Sequence, residues 1–96
     1  MSRVFVYMLR CRDGSLYAGW TTDLTRRVNA HNRGTGARYT RSRLPVSVAA
    51  WWTASGKSEA LKLEARLRRL SRKQKLIVIA GKDPQWPLKR RPKTTN

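Results

Sequence analysis

Val4 to Leu9 is an unbroken run of apolar and aromatic residues closed by Arg10. Alternation puts Val4, Val6 and Met8 on one face and Phe5, Tyr7 and Leu9 on the other, which predicts a β-strand. Arg12-Asp13-Gly14-Ser15 is a turn signal, so Ser15 to Gly19 should return as the second arm of a hairpin. Thr22 or Asp23 caps a helix running to about Asn32, with Leu24 and Val28 on its buried side and Gly34 and Gly36 stopping it. Gly34 to Leu44 reads as a basic loop. Pro45 introduces a third strand, Val46 to about Thr53. A helix from Ser58 to Leu70 carries the apolar stripe Ala60, Leu63, Leu67 and Leu70. Ser71-Arg72-Lys73-Gln74 is a capping box opening a last helix to about Ala80.

The order strand, strand, helix, strand, helix, helix predicts an α+β domain: a small three-stranded antiparallel sheet flanked by three helices. From Gly81 the composition turns to Pro, Lys, Arg and Thr with an isolated Trp86. Residues 1–80 are therefore assigned to the domain and 81–96 to a basic, flexible tail.

Ninety-six residues support one domain with one modest core. No stretch nears the roughly 20 apolar residues of a membrane span, and the first residues lack a signal-peptide apolar region, so the expected location is cytoplasmic. Cys11 is the only cysteine, which excludes an internal disulfide and a cysteine metal cage.

Charge changes the picture most. Twenty-two Lys plus Arg face five acidic residues, a formal net charge of +17. Such a surface binds polyanions, chiefly nucleic acid, by releasing condensed counterions. A membrane-surface role would concentrate the cations on one amphipathic helix, whereas here every segment has some. Nucleic acid is the expected partner.

Acids are scarce enough to be informative. Asp13 belongs to a hairpin turn, Asp23 to a helix N-cap, Glu59 to the first turn of a helix and Asp83 to a Pro-bounded loop. Glu64 alone is mid-helix, beside the apolar stripe. It is either a ligand for one hard cation facing bound phosphate or half of a helix-face ion pair with Arg68, four residues on.

Arg27 and His31 lie on or beside the buried side of the first helix and stack on one another. There they are costly unless they line a cleft, snorkel or are satisfied in the core. Tyr7 and Tyr17, one on each hairpin arm, are by themselves ordinary strand tyrosines with a wet tip, and their register is open. Together the two phenols, the guanidinium, the imidazole and the carboxylate make a plausible phosphodiesterase kit.

These residues resemble the GIY-YIG nuclease family. Phe5-Val6-Tyr7 and Tyr17-Ala18-Gly19 are similar to the two halves of its signature. Thr22-Asp23-Leu24 with Arg27, His31-Asn32 and Gly34 resembles its arginine-bearing helix, and Ser58-Glu59-Ala60-Leu61 with Leu63-Glu64-Ala65 resembles the helix carrying its metal-binding glutamate. The resemblance spans roughly Val4 to Ile79 and is nearest to the small stand-alone bacterial members. Phe5 replaces the first glycine of the signature, Ala18 its second isoleucine, and Trp20 stands where excision-repair relatives tend to have lysine. The asparagine that some relatives carry after the glutamate helix has no match in Arg72-Lys73-Gln74-Lys75.

The resemblance implies a GIY-YIG nuclease-like fold and a metal-dependent DNA endonuclease. Tyr7 would act as general base or orient the attacking water, Tyr17 would support it, Arg27 would pair with the phosphate, and His31 would move a proton or hold a phosphate oxygen. Glu64 would bind one Mg²⁺ or Mn²⁺. The cationic surround together with the bound metal is expected to lower the Tyr7 pKa. Asn32, Tyr39, Arg41, Trp20 and Lys73 are the expected substrate contacts. Of the four tryptophans, Trp20 and Trp86 are the expected base-stackers, one of Trp51 and Trp52 being core, which favours single-stranded or branched DNA. Lys89 to Lys93 would add phosphate contacts. The alternatives are a non-catalytic nucleic-acid-binding module, for RNA or the ribosome, and a nuclease subunit that needs a protein partner.

Overall fold

The computed structural model describes residues 3–86. β1 (Val4–Arg10), β2 (Leu16–Thr21) and β3 (Ser47–Ala54) form one antiparallel sheet in the order β2-β1-β3. Around it lie α1 (Leu24–Asn32), α2 (Arg38–Arg41), α3 (Lys57–Arg69) and α4 (Arg72–Ile79). This is the expected α+β arrangement with one addition. The loop from Gly34 to Leu44 is not irregular throughout: Arg38 to Arg41 closes one helical turn, its last N–H reaching Ala37 O at 3.2 Å. Its buried residue is Thr40, and a single turn has no apolar period by which to announce itself.

The start and stop signals operate as chemistry predicts. Asp23 is the N-cap of α1 and accepts from Arg26 N–H; Ser71 caps α4 and accepts from Gln74 N–H. Gly34, at φ 82, ends α1 in a Schellman motif, with Gly34 N–H bonded to His31 O and Thr35 N–H to Ala30 O. The motif turns the chain back under the C-terminal end of α1, which places α2 beside His31.

The sheet separates two cores. Val4, Val6, Met8 and Ala18 pack against Ala60, Leu63 and Leu67 of α3 and Val78 of α4. Each fully buried leucine there contributes roughly 1.5–3 kcal/mol over an exposed one. On the other face Tyr7, Leu9, Cys11 and Val46 pack with Tyr17, Leu24, Val28 and Leu44. Register fixes which residues share a face. Tyr7 lies between Gly19 on β2 and Trp51 on β3, and Val6 lies between Trp20 and Trp52. A bulge interrupts the β1–β3 ladder between Met8 and Leu9, so that Leu9 pairs with Val48 and Met8 with Ala50.

Composition assigns Gly81 onward to a flexible tail, yet residues 83–86 turn back onto the body. Asp83 accepts from Gln85 N–H at 2.8 Å and from Trp86 N–H at 3.2 Å, and the Trp86 ring meets Trp52 edge-on at 5.2 Å with Arg66 beside it. Apolar contact with the α3-side core outweighs the polar character of the segment. Residues 87–96, including the Lys89 to Lys93 cluster, lie outside the described residues. Among those described, no helix is long and apolar enough to cross a membrane.

Candidate active site

The site is built around Tyr7, whose side chain is 1 % exposed. Its direct neighbour across the ladder is Gly19, and a Cβ there would collide with the phenol ring and hydroxyl. The glycine is the space in which the ring lies. The hydroxyl meets Nε2 of His31 at 3.1 Å. His31 is itself 0 % exposed, and its ring fills the room left by Gly36, where a Cβ would strike Nδ1.

Nδ1 of His31 lies 2.8 Å from Oγ1 of Thr40, which is also fully buried. The Thr40 hydroxyl donates to Ala37 O at 3.0 Å, so its oxygen is free to accept from Nδ1–H. That tautomer leaves the Nε2 lone pair facing the Tyr7 O–H. The approach of Ala37 N–H to Nδ1, at 3.4 Å, favours the opposite tautomer, but it is long beside the 2.8 Å bond, and we assign the proton to Nδ1 on that ground. Thr40 bears no motif of its own in the sequence. Only its position in α2, inside the bend made by Gly34 and Gly36, brings it to His31.

Burial sets the protonation states. Loss of water pushes the Tyr7 phenol above its ordinary value of 10.0; the Arg27 guanidinium pulls the other way by hydrogen bonding and charge, while Tyr17 and Glu64 add to the rise. The cationic surround by itself does not lower the phenol, because desolvation this deep exceeds what Arg27 returns. For His31, burial first and the Arg27 charge second hold the imidazole below its ordinary 6.5. Near neutral pH the pair is a neutral phenol against a neutral imidazole.

The remaining residues arrange themselves outward. Tyr17 meets the His31 ring at 5.6 Å and stacks on Tyr39 at 5.8 Å with 20° between planes. Arg43 lies 4.0 Å above the Tyr39 ring and donates to Tyr39 O and Asp13, pinning Tyr39 in place. Arg27, on the half-buried side of α1, joins Thr21, Thr22, Asp23, Arg26 and Ala30 around a cleft of about 290 Å³. Glu64, with its side chain 16 % exposed, accepts from Arg68 at 2.9 Å. The same guanidinium nitrogen is 3.4 Å from Ala18 O, and the group sits 5.8 Å from the Tyr17 ring. Arg68 thus ties Glu64 to β2. The ion-pair reading of Glu64 holds, and its charge is also felt at Tyr7.

As a metal ligand Glu64 has Oε2 engaged by Arg68 and makes no other hydrogen bond among the described residues. No group of three His, Cys, Asp or Glu side chains there could cage an ion. A lone, partly exposed carboxylate suits a hard cation that keeps most of its water or takes phosphate oxygens.

Several expected substrate contacts are placed elsewhere. Trp20 shares a face with Val6 and packs against the α3-side core, on the opposite side of the sheet from Tyr7. The amide of Asn32 is spent on the Val46 backbone, donating at 3.0 Å and accepting at 2.7 Å, which ties α1 to the start of β3. Lys73 lines a groove with Arg72, Leu76, Ile77 and Lys82, whereas Lys75 lines the cleft of about 350 Å³ beside Tyr17, Tyr39 and Arg68. The capping Ser71 starts α4 one residue before Arg72, and that phase decides which lysine points to the cleft. Tyr39 and Arg41 are exposed on α2, Tyr39 stacked as described. Trp86 is engaged with Trp52 and Arg66 rather than free for stacking.

Residues 3–76 match the GIY-YIG catalytic domain. A UPF0213 protein of Clostridium perfringens is 46% identical over 78 residues, covering 81% of this chain and 84% of that protein. Another, from Halobacterium salinarum, is 50% identical over 70 residues, covering 73% and 91%. The solution NMR structure of a UPF0213 protein from Bacillus halodurans superposes with a TM-score of 0.55 at 36% identity, over 91% of this chain and 99% of that one. A solution NMR structure from E. faecalis gives 0.59 at 41% identity, over 84% and 86%.

Proposed function

The chain belongs to the GIY-YIG family, and on that premise we propose that it is a metal-dependent DNA endonuclease that hydrolyses phosphodiester bonds. The observation that carries this reading is the contact between the Tyr7 hydroxyl and Nε2 of His31, two buried neutral groups next to the Arg27 guanidinium. A buried phenol is a poor base alone. Paired with a neutral imidazole it can take a proton from the attacking water while passing its own to Nε2.

Water gives a proton to the phenol oxygen as the phenol proton moves to His31, and the hydroxide attacks phosphorus as the bond to the leaving oxygen breaks. The leaving oxygen takes a proton from solvent, and the proton on Nε2 returns through Tyr7 to water, restoring the neutral pair. The imidazolium formed keeps its Nδ1–H bond to Thr40 and faces the negative charge that develops on the phosphate. Arg27 pairs with the phosphate oxygens, and Tyr17, stacked between His31 and Tyr39, holds the edge of the pocket. Arg68 and Lys75 line the approach beside Tyr17 and supply phosphate contacts. Glu64 would hold one Mg²⁺ or Mn²⁺, which when bound supplies Lewis-acid stabilisation of phosphate oxygens.

The test is cleavage of labelled DNA with and without Mg²⁺ or Mn²⁺ by wild type, Tyr7→Phe and Glu64→Ala. Metal-dependent cutting lost in both variants supports the reading. Binding by the wild type without any cutting would leave a nucleic-acid-binding module, and cutting only after addition of cell extract would make it a partner-dependent subunit.

A further inference from the structure

Beside Tyr7 the sheet is not covered. Trp51 is the direct cross-strand partner of Tyr7 on β3, so the two side chains rise from the same face on adjacent strands, about 5 Å apart at their backbones. Yet Tyr7 is sealed and Trp51 is 50 % exposed. Val48 and Thr53 on the same strand face are exposed as well, so no helix among the described residues covers β3 there. Phe5, next to Tyr7 along that face, meets the Trp51 ring edge-on at 5.7 Å with 74° between planes. Edge support of this kind fixes an indole while leaving a π-face open.

We propose that Trp51, braced by Phe5, is a stacking platform for an unpaired nucleobase next to the phosphate addressed by Tyr7, which makes a single strand the substrate of this site. The inference rests on the phosphodiesterase reading of Tyr7. Its occupant follows from three features. The molecule carries a formal charge of +17, which draws in a phosphate backbone rather than an apolar partner. The indole is the direct cross-strand neighbour of Tyr7, so a strand whose phosphate pairs with the Arg27 that hydrogen-bonds the phenol brings a neighbouring base over β3. In a duplex the faces of that base are already stacked, whereas an unpaired base has one to offer. Of the other tryptophans, Trp20 and Trp52 face the α3 side and Trp86 leans on Trp52.

The test measures affinity by fluorescence anisotropy, under chelation so that nothing is cut. The probes are a labelled thymidine oligomer and the same sugar–phosphate chain without bases; the proteins are wild type, Trp51→Ala and Trp51→Phe. Trp51→Ala is expected to weaken binding of the thymidine oligomer by about 5- to 150-fold and to leave the abasic chain unaffected, while Trp51→Phe retains most of the affinity. Circular dichroism and sedimentation are run on each variant. Equal weakening on both chains, or on neither, overturns the proposal. So does a change in oligomeric state on loss of Trp51, which would make the face a contact between copies. Because no cleavage is read, a wild type that never cuts would remove the nuclease reading and leave the stacking result standing. Conversely, a Trp51→Ala protein with unchanged affinity and normal cutting would remove only this inference.

Discussion

The hydroxyl of Tyr7 and Nε2 of His31 meet at 3.1 Å, both residues almost wholly buried. Each neutral state protects the other. A charged imidazole would lose its bond from the phenol, and a phenolate would lose the water it needs. The pair also makes stability depend on pH in two windows of known sign. His31 has a folded pKa below 6.5, so the unfolded chain takes up its proton first as pH falls. Its contribution is fully present above about 6.5 and is lost from there down through the lowered folded value. Tyr7 has a folded pKa above 10.0, so its contribution holds below about 10 and is lost as pH rises through the folded value. Thermal midpoints of wild type and His31→Gln between about pH 5 and 7 check the first window. The wild type should lose more stability across it than the variant; parallel curves would remove His31 as the cause.

Thr40 should act on the reaction through His31. Thr40→Val keeps the shape but leaves the Nδ1 proton without an acceptor, a buried loss of about 1–3 kcal/mol. It is expected to lower kcat with little change in KM, and Thr40→Ser should restore most of it. A fall in KM-dependent binding alone, or failure of serine to rescue, would contradict the positioning role.

Glu64 and Arg68 separate the two meanings of one ion pair. An exposed helix pair of this spacing is worth only about 0.3–0.5 kcal/mol, so a purely structural Glu64 would make Glu64→Ala and Arg68→Ala equally mild. As a metal ligand Glu64 should cost about 100-fold or more in cutting when removed, with DNA affinity nearly intact, while Arg68→Ala still responds to Mg²⁺. Titration of each variant with Mn²⁺ distinguishes the outcomes.

Gly19→Ala should be the most harmful small change in the sheet. The added methyl meets the Tyr7 hydroxyl and ring, and overpacking of this kind costs typically about 1–3 kcal/mol. Unfolding by urea measures that cost, and the rate of cutting reports whether the phenol has been displaced from His31. Gly56→Ala, at an extended position with open space around it, serves as the comparison that leaves Tyr7 untouched.

The fold was legible because its signals are local. Asp23 and Ser71 cap their helices, Asp13-Gly14 turns the hairpin, and Ala60, Leu63 and Leu67 mark the buried stripe of α3. The pairing of Tyr7 with His31 was only half legible, since helical spacing placed His31 inward but nothing local supplied Thr40. Long-range phase was hidden altogether. Trp20 was misplaced because its face follows from pairing with Val6, and Lys73 because the turn at Ser71 sets the rotation of α4. The upward push on the Tyr7 phenol was not legible either, because net charge is a property of the surface and burial a property of the fold.

The bulge near Ala49 governs the choice between two adjacent indoles. Counting by twos from Val48 would set Trp52 upright beside the Tyr7 row and turn Trp51 beneath the sheet; the interrupted ladder reverses them. A regular ladder that took Ala49 in as the partner of Met8 would exchange the two rings without altering any aromatic residue. One residue held out of the ladder thus decides which indole stands beside the Tyr7 row, while the chemistry at the phosphate is left alone.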